Sequence, residues 1–299
     1  MTLDIRGCGT ALVTPFAKKG SLDLDALRRL VQFQLRAGID FLVPCGTTGE
    51  TPTLEHAEYG AVVRTVVQEV AGKVPVIAGV GGNNTRDVID LAAEVRGLGV
   101  QGILSVAPYY NKPTQEGLYQ HFQALAESTD LPIILYNVPT RTSSNIEPPT
   151  VARLAKIPNI IGIKEASGSI VQQMEVLASV PSSFRMLSGD DAFTLPLMAL
   201  GGVGIVSVVS NEIPGEMTRL AHLLLEGKLA GARELHFKLL PLMQVNFIET
   251  NPIPVKAALA MMGLIEEVYR LPIVPMKPEN RAKLEKVLTA QGLIKLQKA

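Results

Sequence analysis

Short apolar runs recur along the chain at intervals of about 25 to 30 residues, and polar, helically spaced segments separate them. The runs are ALVTPF (11–16), DFLVPCG (40–46), VPVIAGVGG (74–82), VQGILSVAP (100–108), LPIILYNVP (131–139), IIGIKEASG (160–168), RMLSGDD (185–191) and VGIVSVVSN (203–211). Each is short and mostly continuous rather than alternating, as strands buried on both faces are. The segment LDALRRLVQFQLRAG carries its apolar residues at helical spacing, with Ser21 and Asp23 as candidate N-caps. TRDVIDLAAEVRGLG is predicted to begin at an N-cap Thr85 and to stop at glycine. GLYQHFQALAEST and VARLAKIP continue the alternation.

Eight strand-like segments alternating with helices predict a (β/α)8 barrel, an α/β fold of typically about 250 residues. A doubly wound open sheet is the structural alternative. Its nucleotide fingerprint is G-x-G-x-x-G, but Gly79-Val80-Gly81-Gly82-Asn83-Asn84 ends in asparagine where the last glycine belongs. After the eighth strand PGEMTRLAHLLLEG, KLAGARELHFKLLPLMQVNFI, PVKAALAMMG and PENRAKLEKVLTAQG read as four helices. One closes the barrel and the others extend it. The expected division is a barrel over 1–225 that carries the active site, followed by a helical extension over 226–299.

Composition narrows the function. The 299 residues include 28 basic and 28 acidic side chains, so no net charge marks a nucleic-acid or acidic-membrane partner. No apolar run approaches the roughly 18 residues that a membrane span requires. The opening MTLDIRGCGT lacks the features of a signal peptide, and a soluble, cytoplasmic protein is expected. Cys8 and Cys45 have neither metal-like nor redox spacing, and His56, His121, His222 and His236 form no H-x-H or H-E-x-x-H pair. No metal and no cofactor is expected.

One residue breaks the apolar pattern. Lys164 follows Ile160, Ile161 and Ile163 directly, although lysine is almost never fully buried unless paired. Either the strand has surfaced and Lys164 is solvated or paired with Glu165, or the lysine is held in the barrel for chemistry. Active residues of such barrels lie at the C-terminal ends of strands. There the second strand offers GTTGE (46–50), the fourth PYYNKPT (108–114), the fifth LYNVPTRT (135–142) and the seventh SGDD (188–191). A neutral lysine attacks a carbonyl and forms a Schiff base that acts as an electron sink. An ordinary lysine is neutral at pH 7 in fewer than about one molecule in a thousand, and burial in general favours the neutral amine.

Each neighbour has a structural and a chemical reading. Tyr136 is either a core tyrosine or the proton shuttle that imine formation requires. Thr47 and Thr48 either shape a turn or hold a carboxylate through hydroxyls and backbone N–H groups. Tyr109 and Tyr110 suit packing more than catalysis. Arg141 is a loop charge or the bidentate partner of a second carboxylate. Asp190 and Asp191 suit capping of the following helix more than metal binding.

GTTGE, YYNKPTQEG, YNVPTRT and GIKEASG, in that order and spacing, resemble the dihydrodipicolinate synthase family, and the likeness extends from about residue 8 through NPIPVK (251–256) to near the C-terminus. The resemblance implies a metal-free aldolase-like reaction. Pyruvate forms an imine with lysine, becomes an enamine and condenses with aspartate semialdehyde, and the product cyclises and leaves. It implies Lys164 as the Schiff-base residue and Tyr136 as general acid/base. Thr47 and Tyr110 complete a hydroxyl relay, with Tyr110 entering from the neighbouring subunit of a tight dimer. Thr48, Gly189 and the backbone of Val206 would hold pyruvate, and Arg141 the carboxylate of the semialdehyde. A homotetramer of tight dimers is implied, as is a lysine effector cleft lined by Pro52, His56, Tyr59, Asn83, Asp87 and Tyr109. Two rivals stand beside this reading: a sibling lyase acting on N-acetylneuraminate or a 2-keto-3-deoxy sugar acid, and a catalytically idle barrel that only binds. Tyr110 together with Arg141 favours the synthase over the sibling, and intact Lys164, Tyr136 and Thr47 argue against the idle barrel.

Overall fold

The computed structural model describes residues 3–295. Its eight strands are β1 (Gly7–Ala11), β2 (Phe41–Val43), β3 (Ile77–Gly79), β4 (Gly102–Val106), β5 (Ile133–Asn137), β6 (Ile160–Glu165), β7 (Arg185–Ser188) and β8 (Gly204–Ser207). All pair in parallel, in the order β2-β1-β8-β7-β6-β5-β4-β3. A parallel bridge between Leu42 and Val76, with the Leu42 N–H donating to the Pro75 carbonyl and the Gly79 N–H to that of Pro44, joins β2 to β3. The ring is thereby closed, and the open-sheet alternative falls away.

Helices α1 (Leu24–Arg36), α2 (His56–Val70), α3 (Thr85–Gly97), α4 (Gln115–Ser128), α5 (Pro139–Thr142), α6 (Pro148–Leu154), α7 (Ile170–Ser179), α8 (Thr194–Ala199) and α9 (Pro214–Leu225) fill the crossovers and close the barrel. Of the two candidate caps of α1, Asp23 is the one used, accepting from the Ala26 N–H. At α3 the N-cap is Asn84 instead of Thr85: Asn84 is extended and its side chain accepts from the Arg86 N–H. Thr85 is the first helical residue, and its hydroxyl lies 2.9 Å from Nδ1 of His121.

The first strand also differs from the expectation. The apolar run 11–16 is buried at Leu12, Val13 and Phe16, but the ladder is formed upstream by GCGTA. Glycine permits this placement. A Cβ on Gly9 would run into the Phe41 ring, which occupies the barrel interior beneath it. Hydropathy overlooks such a strand because two of its five residues carry no side chain.

Strand alternation sorts the side chains into two layers. Cys8, Leu42, Ala78, Ile103, Leu135, Ile163, Met186 and Ile205 face the helices. Ala11, Phe41, Val43, Ile77, Leu104, Ile134, Tyr136, Leu187 and Val206 fill the interior, which is a packed core and not a pore. In β6 the register slips between Ile133 and Ile134 of its neighbour, and beyond that irregularity Ile163 faces out and Lys164 faces in.

Three further helices follow: α10 (Leu229–Val245), α11 (Ile253–Met261) and α12 (Pro278–Ala290). Leu235, Leu239, Leu242 and Met243 of α10 and Leu284 and Leu288 of α12 belong to the same apolar core as Met217 and Leu220 of α9. Among the described residues no helix is long and apolar enough to cross a membrane.

Candidate active site

Lys164 lies near the C-terminal end of β6 and is only 6% exposed. Tyr136 on β5 is its register partner, and the lysine Nζ sits 4.1 Å from the centroid of the Tyr136 ring. Glu165 is not its partner. Alternation sends that side chain to the other face, where its carboxylate accepts from the Ser167 N–H at 2.6 Å, Asn137 Nδ2 at 3.0 Å and Gln172 Nε2 at 3.3 Å. Among the described residues Lys164 forms no ion pair. A surfaced, solvated lysine is thus excluded by burial, and a Lys164–Glu165 pair by geometry.

Around Lys164 lies a cavity of about 170 Å³ lined by Thr47, Thr48, Tyr136, Val138, Thr140, Arg141, Ala166, Gly189, Asp190, Val208, Phe247 and Asn251. A second cavity of about 430 Å³ adjoins it and shares Thr47, Tyr136, Val138 and Arg141, adding Cys45, Pro52 and Tyr109. Gly189 is glycine for a steric reason: a Cβ there would stand 2.6 Å from that of Ala166 and 3.1 Å from the Lys164 Cε. The GTTGE segment forms a 3₁₀ turn at Thr47–Gly49, and Glu50 then takes a left-handed conformation at φ 53°. Thr48 is buried, and its hydroxyl accepts from Asn251 Nδ2 at 3.0 Å. Arg141, on the short helix α5, is exposed and donates from Nη2 to the Asn251 carbonyl at 3.4 Å.

Two of the sequence candidates lie apart from this cavity in the chain. Val206 is buried in the interior layer opposite Gly9, and Val208, two residues on, lines the cavity. Tyr110 is 88% exposed, in a left-handed conformation at φ 72°. Of the residues matched to an effector cleft, Pro52, His56, Asn83, Asp87 and Tyr109 are exposed. Tyr59 is only 4% exposed and donates its hydroxyl to the Gly79 carbonyl at 2.9 Å. Burial raises its pKa.

The two aspartates after β7 divide their work. Asp190 caps its own turn, accepting from the Ala192 N–H at 2.9 Å. Asp191 does not: it reaches across to β8, accepting from Ser207 Oγ at 2.5 Å and from the N–H groups of Val208 and Val209 at 3.1 and 3.2 Å. Burial pushes the Asp191 carboxyl up to about 6, against the pull of those donors.

Sequence reasoning passed over Phe247 and Asn251 as site residues. Both come from the segment after α10, so the C-terminal extension contributes part of the cavity wall. Asn251 is 203 positions from Thr48, and only its place in NPIPVK hinted at a special role.

Comparison with known proteins agrees with this geometry. The model of the Dihydrodipicolinate synthetase family matches residues 4–291. The 4-hydroxy-tetrahydrodipicolinate synthase of Koribacter versatilis is 58% identical over 294 residues, 98% of each chain. The crystal structure of dihydrodipicolinate synthase from Thermotoga maritima superposes with a TM-score of 0.95 at 47% identity, covering 97% of this chain and 99% of that one. The chloride-inhibited dihydrodipicolinate synthase from Acinetobacter baumannii, solved in complex with pyruvate, gives a TM-score of 0.96 at 40% identity over 97% of this chain and all of the other. With a buried barrel lysine beside a tyrosine and a match over almost its whole length, the chain belongs to the dihydrodipicolinate synthetase family.

Proposed function

We infer that the chain condenses pyruvate with L-aspartate 4-semialdehyde to give 4-hydroxy-tetrahydrodipicolinate, and that Lys164 carries the reaction as a Schiff base. The observation behind this is the placement of Lys164: interior, 6% exposed, without an acidic partner among the described residues, and 4.1 Å from the Tyr136 ring. A lysine held in this way has no structural task that leucine would not perform better, whereas a carbonyl compound gives it one.

In this reading the Lys164 amine attacks C2 of pyruvate, and the carbinolamine loses water to form the imine. A proton leaves the pyruvate methyl group, and the enamine attacks the aldehyde carbon of the semialdehyde. The amino group of that substrate then attacks C2, closing the ring and returning the amine to Lys164. Tyr136 transfers the protons, with Thr47 and the Tyr110 of a neighbouring subunit as its relay. Tyr110 is an exposed aromatic ring at the barrel rim, which suits a residue that completes the site of another subunit. Thr48 and Gly189, with the backbone of Val206, hold pyruvate. Arg141 stands at the cavity mouth, where a bidentate partner for the second carboxylate belongs.

A homotetramer of tight dimers in the cytoplasm is the assembly and location that fit this reading. The barrel over 1–225 carries most of the site, and the extension over 226–299 completes it. Incubation with pyruvate and borohydride tests the proposal. One reduced pyruvate adduct on Lys164, found by mass spectrometry, supports it; labelling of another lysine, or of none, overturns it.

A further inference from the structure

Asn251 has one polar atom that the fold does not use. The side chain is 4% exposed and lines the cavity that holds Lys164. Its Nδ2 donates to Thr48 Oγ, and its backbone carbonyl accepts from Arg141. Its Oδ1 is buried without a hydrogen-bond partner among the described residues. A buried amide oxygen left unpaired costs about 1–3 kcal/mol, so such atoms call for an explanation. The opposite amide orientation would not remove the difficulty. It would aim a further donor into a space that already presents the Arg141 guanidinium and the Lys164 amine.

We propose that Asn251 is a specificity residue, whose Oδ1 accepts a hydrogen bond from the α-ammonium group of the second substrate. The inference rests on the reading above, in which that substrate is an amino-acid semialdehyde with its carboxylate on Arg141. In an α-amino acid the ammonium and the carboxylate share one carbon. A carboxylate seated on a guanidinium that itself touches the Asn251 backbone brings the ammonium to the neighbouring side chain. The oxygen there is neutral, so it selects for a donor without trapping a cation in a buried ion pair. The same amide keeps Nδ2 on the Thr48 hydroxyl and thereby turns the hydroxyl proton of Thr48 away from Asn251, toward the pyruvate carboxylate. One side chain therefore serves both substrates, through opposite ends of its amide.

The test compares two aldehydes that differ only in the amino group: L-aspartate 4-semialdehyde as substrate and 4-oxobutanoate as competitive inhibitor. Asn251→Leu keeps the volume and removes the acceptor together with the Nδ2 donor to Thr48, so both aldehydes are compared at saturating pyruvate. It is expected to lower kcat/KM for the amino aldehyde by about 10- to 100-fold, the scale of one hydrogen bond to a charged group, and to leave the Ki of 4-oxobutanoate within about twofold of wild type. Asn251→Gln keeps both ends of the amide, a neutral acceptor and an N–H donor, and is expected to recover part of the loss. Asn251→Ser, small and polar, gives the same comparison if leucine is not accommodated. Equal losses for both aldehydes, or no loss for either, would overturn the proposal. Borohydride trapping on the wild-type enzyme separates the two levels: no Lys164 adduct removes the catalytic reading itself, whereas an intact adduct with an unchanged aldehyde preference removes only the role of Asn251.

Discussion

Lys256 and Glu50 form an ion pair in which both side chains are fully buried, with Nζ 2.5 Å from Oε1. The lysine also lies 4.3 Å over the Phe16 ring, and burial lowers its pKa against the pull of the carboxylate. Glu50 ends the GTTGE turn and Lys256 lies in α11, five residues after Asn251. The pair, with the Asn251–Thr48 bond, therefore clamps the turn to the extension. Lys256→Met leaves a buried carboxylate without its cation and is expected to cost about 3–5 kcal/mol. Replacing both partners by apolar residues, Glu50→Leu with Lys256→Met, is expected to recover more than half of that. Urea unfolding of the three proteins checks it; a single variant within about 1 kcal/mol of wild type would show that the clamp adds nothing.

Removing the hydroxyl of Tyr136 keeps the ring over Lys164 but deletes the group proposed to carry the proton. Tyr136→Phe is expected to lower kcat by roughly 10²–10⁴, while the protein still binds pyruvate. Lys164→Ala is expected to abolish both the trapped adduct and turnover. A Tyr136→Phe enzyme with wild-type kcat would assign the proton transfer elsewhere.

The barrel was legible because buried parallel strands write continuous apolar runs, and the odd residue in such a run is conspicuous. Lys164 could be singled out for that reason. What remained hidden depended on side chains that hydropathy does not weigh. Strand β1 was misplaced because Gly7 and Gly9 make room for Asp40 and Phe41 instead of adding apolar surface themselves. Asn84 and Thr85 are not separable as caps by residue type, since both types cap helices, and only the backbone conformation distinguishes them. Asp191 looks from the sequence like a cap of its own turn, although its partners are on and just beyond the next strand. Asn251 and Thr48 meet only when the chain has folded, and no local spacing announces a contact across 203 positions.

In the proposed function Arg141 serves only the second substrate. It contacts the Asn251 carbonyl at the rim, while Lys164 lies deeper on β6. Arg141→Ala is therefore expected to raise KM for the semialdehyde and leave the pyruvate adduct at near wild-type yield. Steady-state kinetics combined with trapping measures both. Loss of trapping in this variant would contradict the assigned role.

The buried Asp191 sets a pH dependence with a definite sign. Its carboxyl rises from an ordinary 3.8 to about 6, chiefly through burial, with the neighbouring Asp190 pushing in the same direction. Cys8 and Glu212 also face this region, and burial raises both, with the Asp191 charge adding to it. Because the folded state holds the proton more tightly, this contribution to stability is complete below about pH 4 and is lost as pH rises through about 6. Ion pairs such as Glu58 with Arg270 work in the opposite direction, so the difference between two proteins is the useful quantity. Asp191→Asn does not titrate. Its Tm relative to wild type is expected to rise between about pH 4 and pH 6 and to level off above pH 7; a difference that falls over that interval would contradict the assignment.

Lysine inhibition is the property on which the residues of this chain weigh most directly. The resemblance places an effector cleft at Pro52, His56, Tyr59, Asn83, Asp87 and Tyr109, and the two groups expected to matter most behave differently. Asp87 is exposed in the first turn of α3, where it is free to meet an ammonium group. Tyr59 stands where a histidine or glutamate is expected in lysine-sensitive members. Its ring is packed into the core and its hydroxyl is already given to the Gly79 carbonyl. It therefore offers no carboxylate and no free donor to a ligand. The His56 imidazole, for its part, stands 3.1 Å from the Glu94 carboxylate. Lysine is accordingly expected to inhibit weakly or not at all when titrated at pyruvate near its KM. Tyr59→His, which removes the phenol, is expected to increase sensitivity. Strong, cooperative inhibition of the wild-type enzyme at sub-millimolar lysine would show that Asp87 and His56 suffice and that the buried tyrosine is no obstacle.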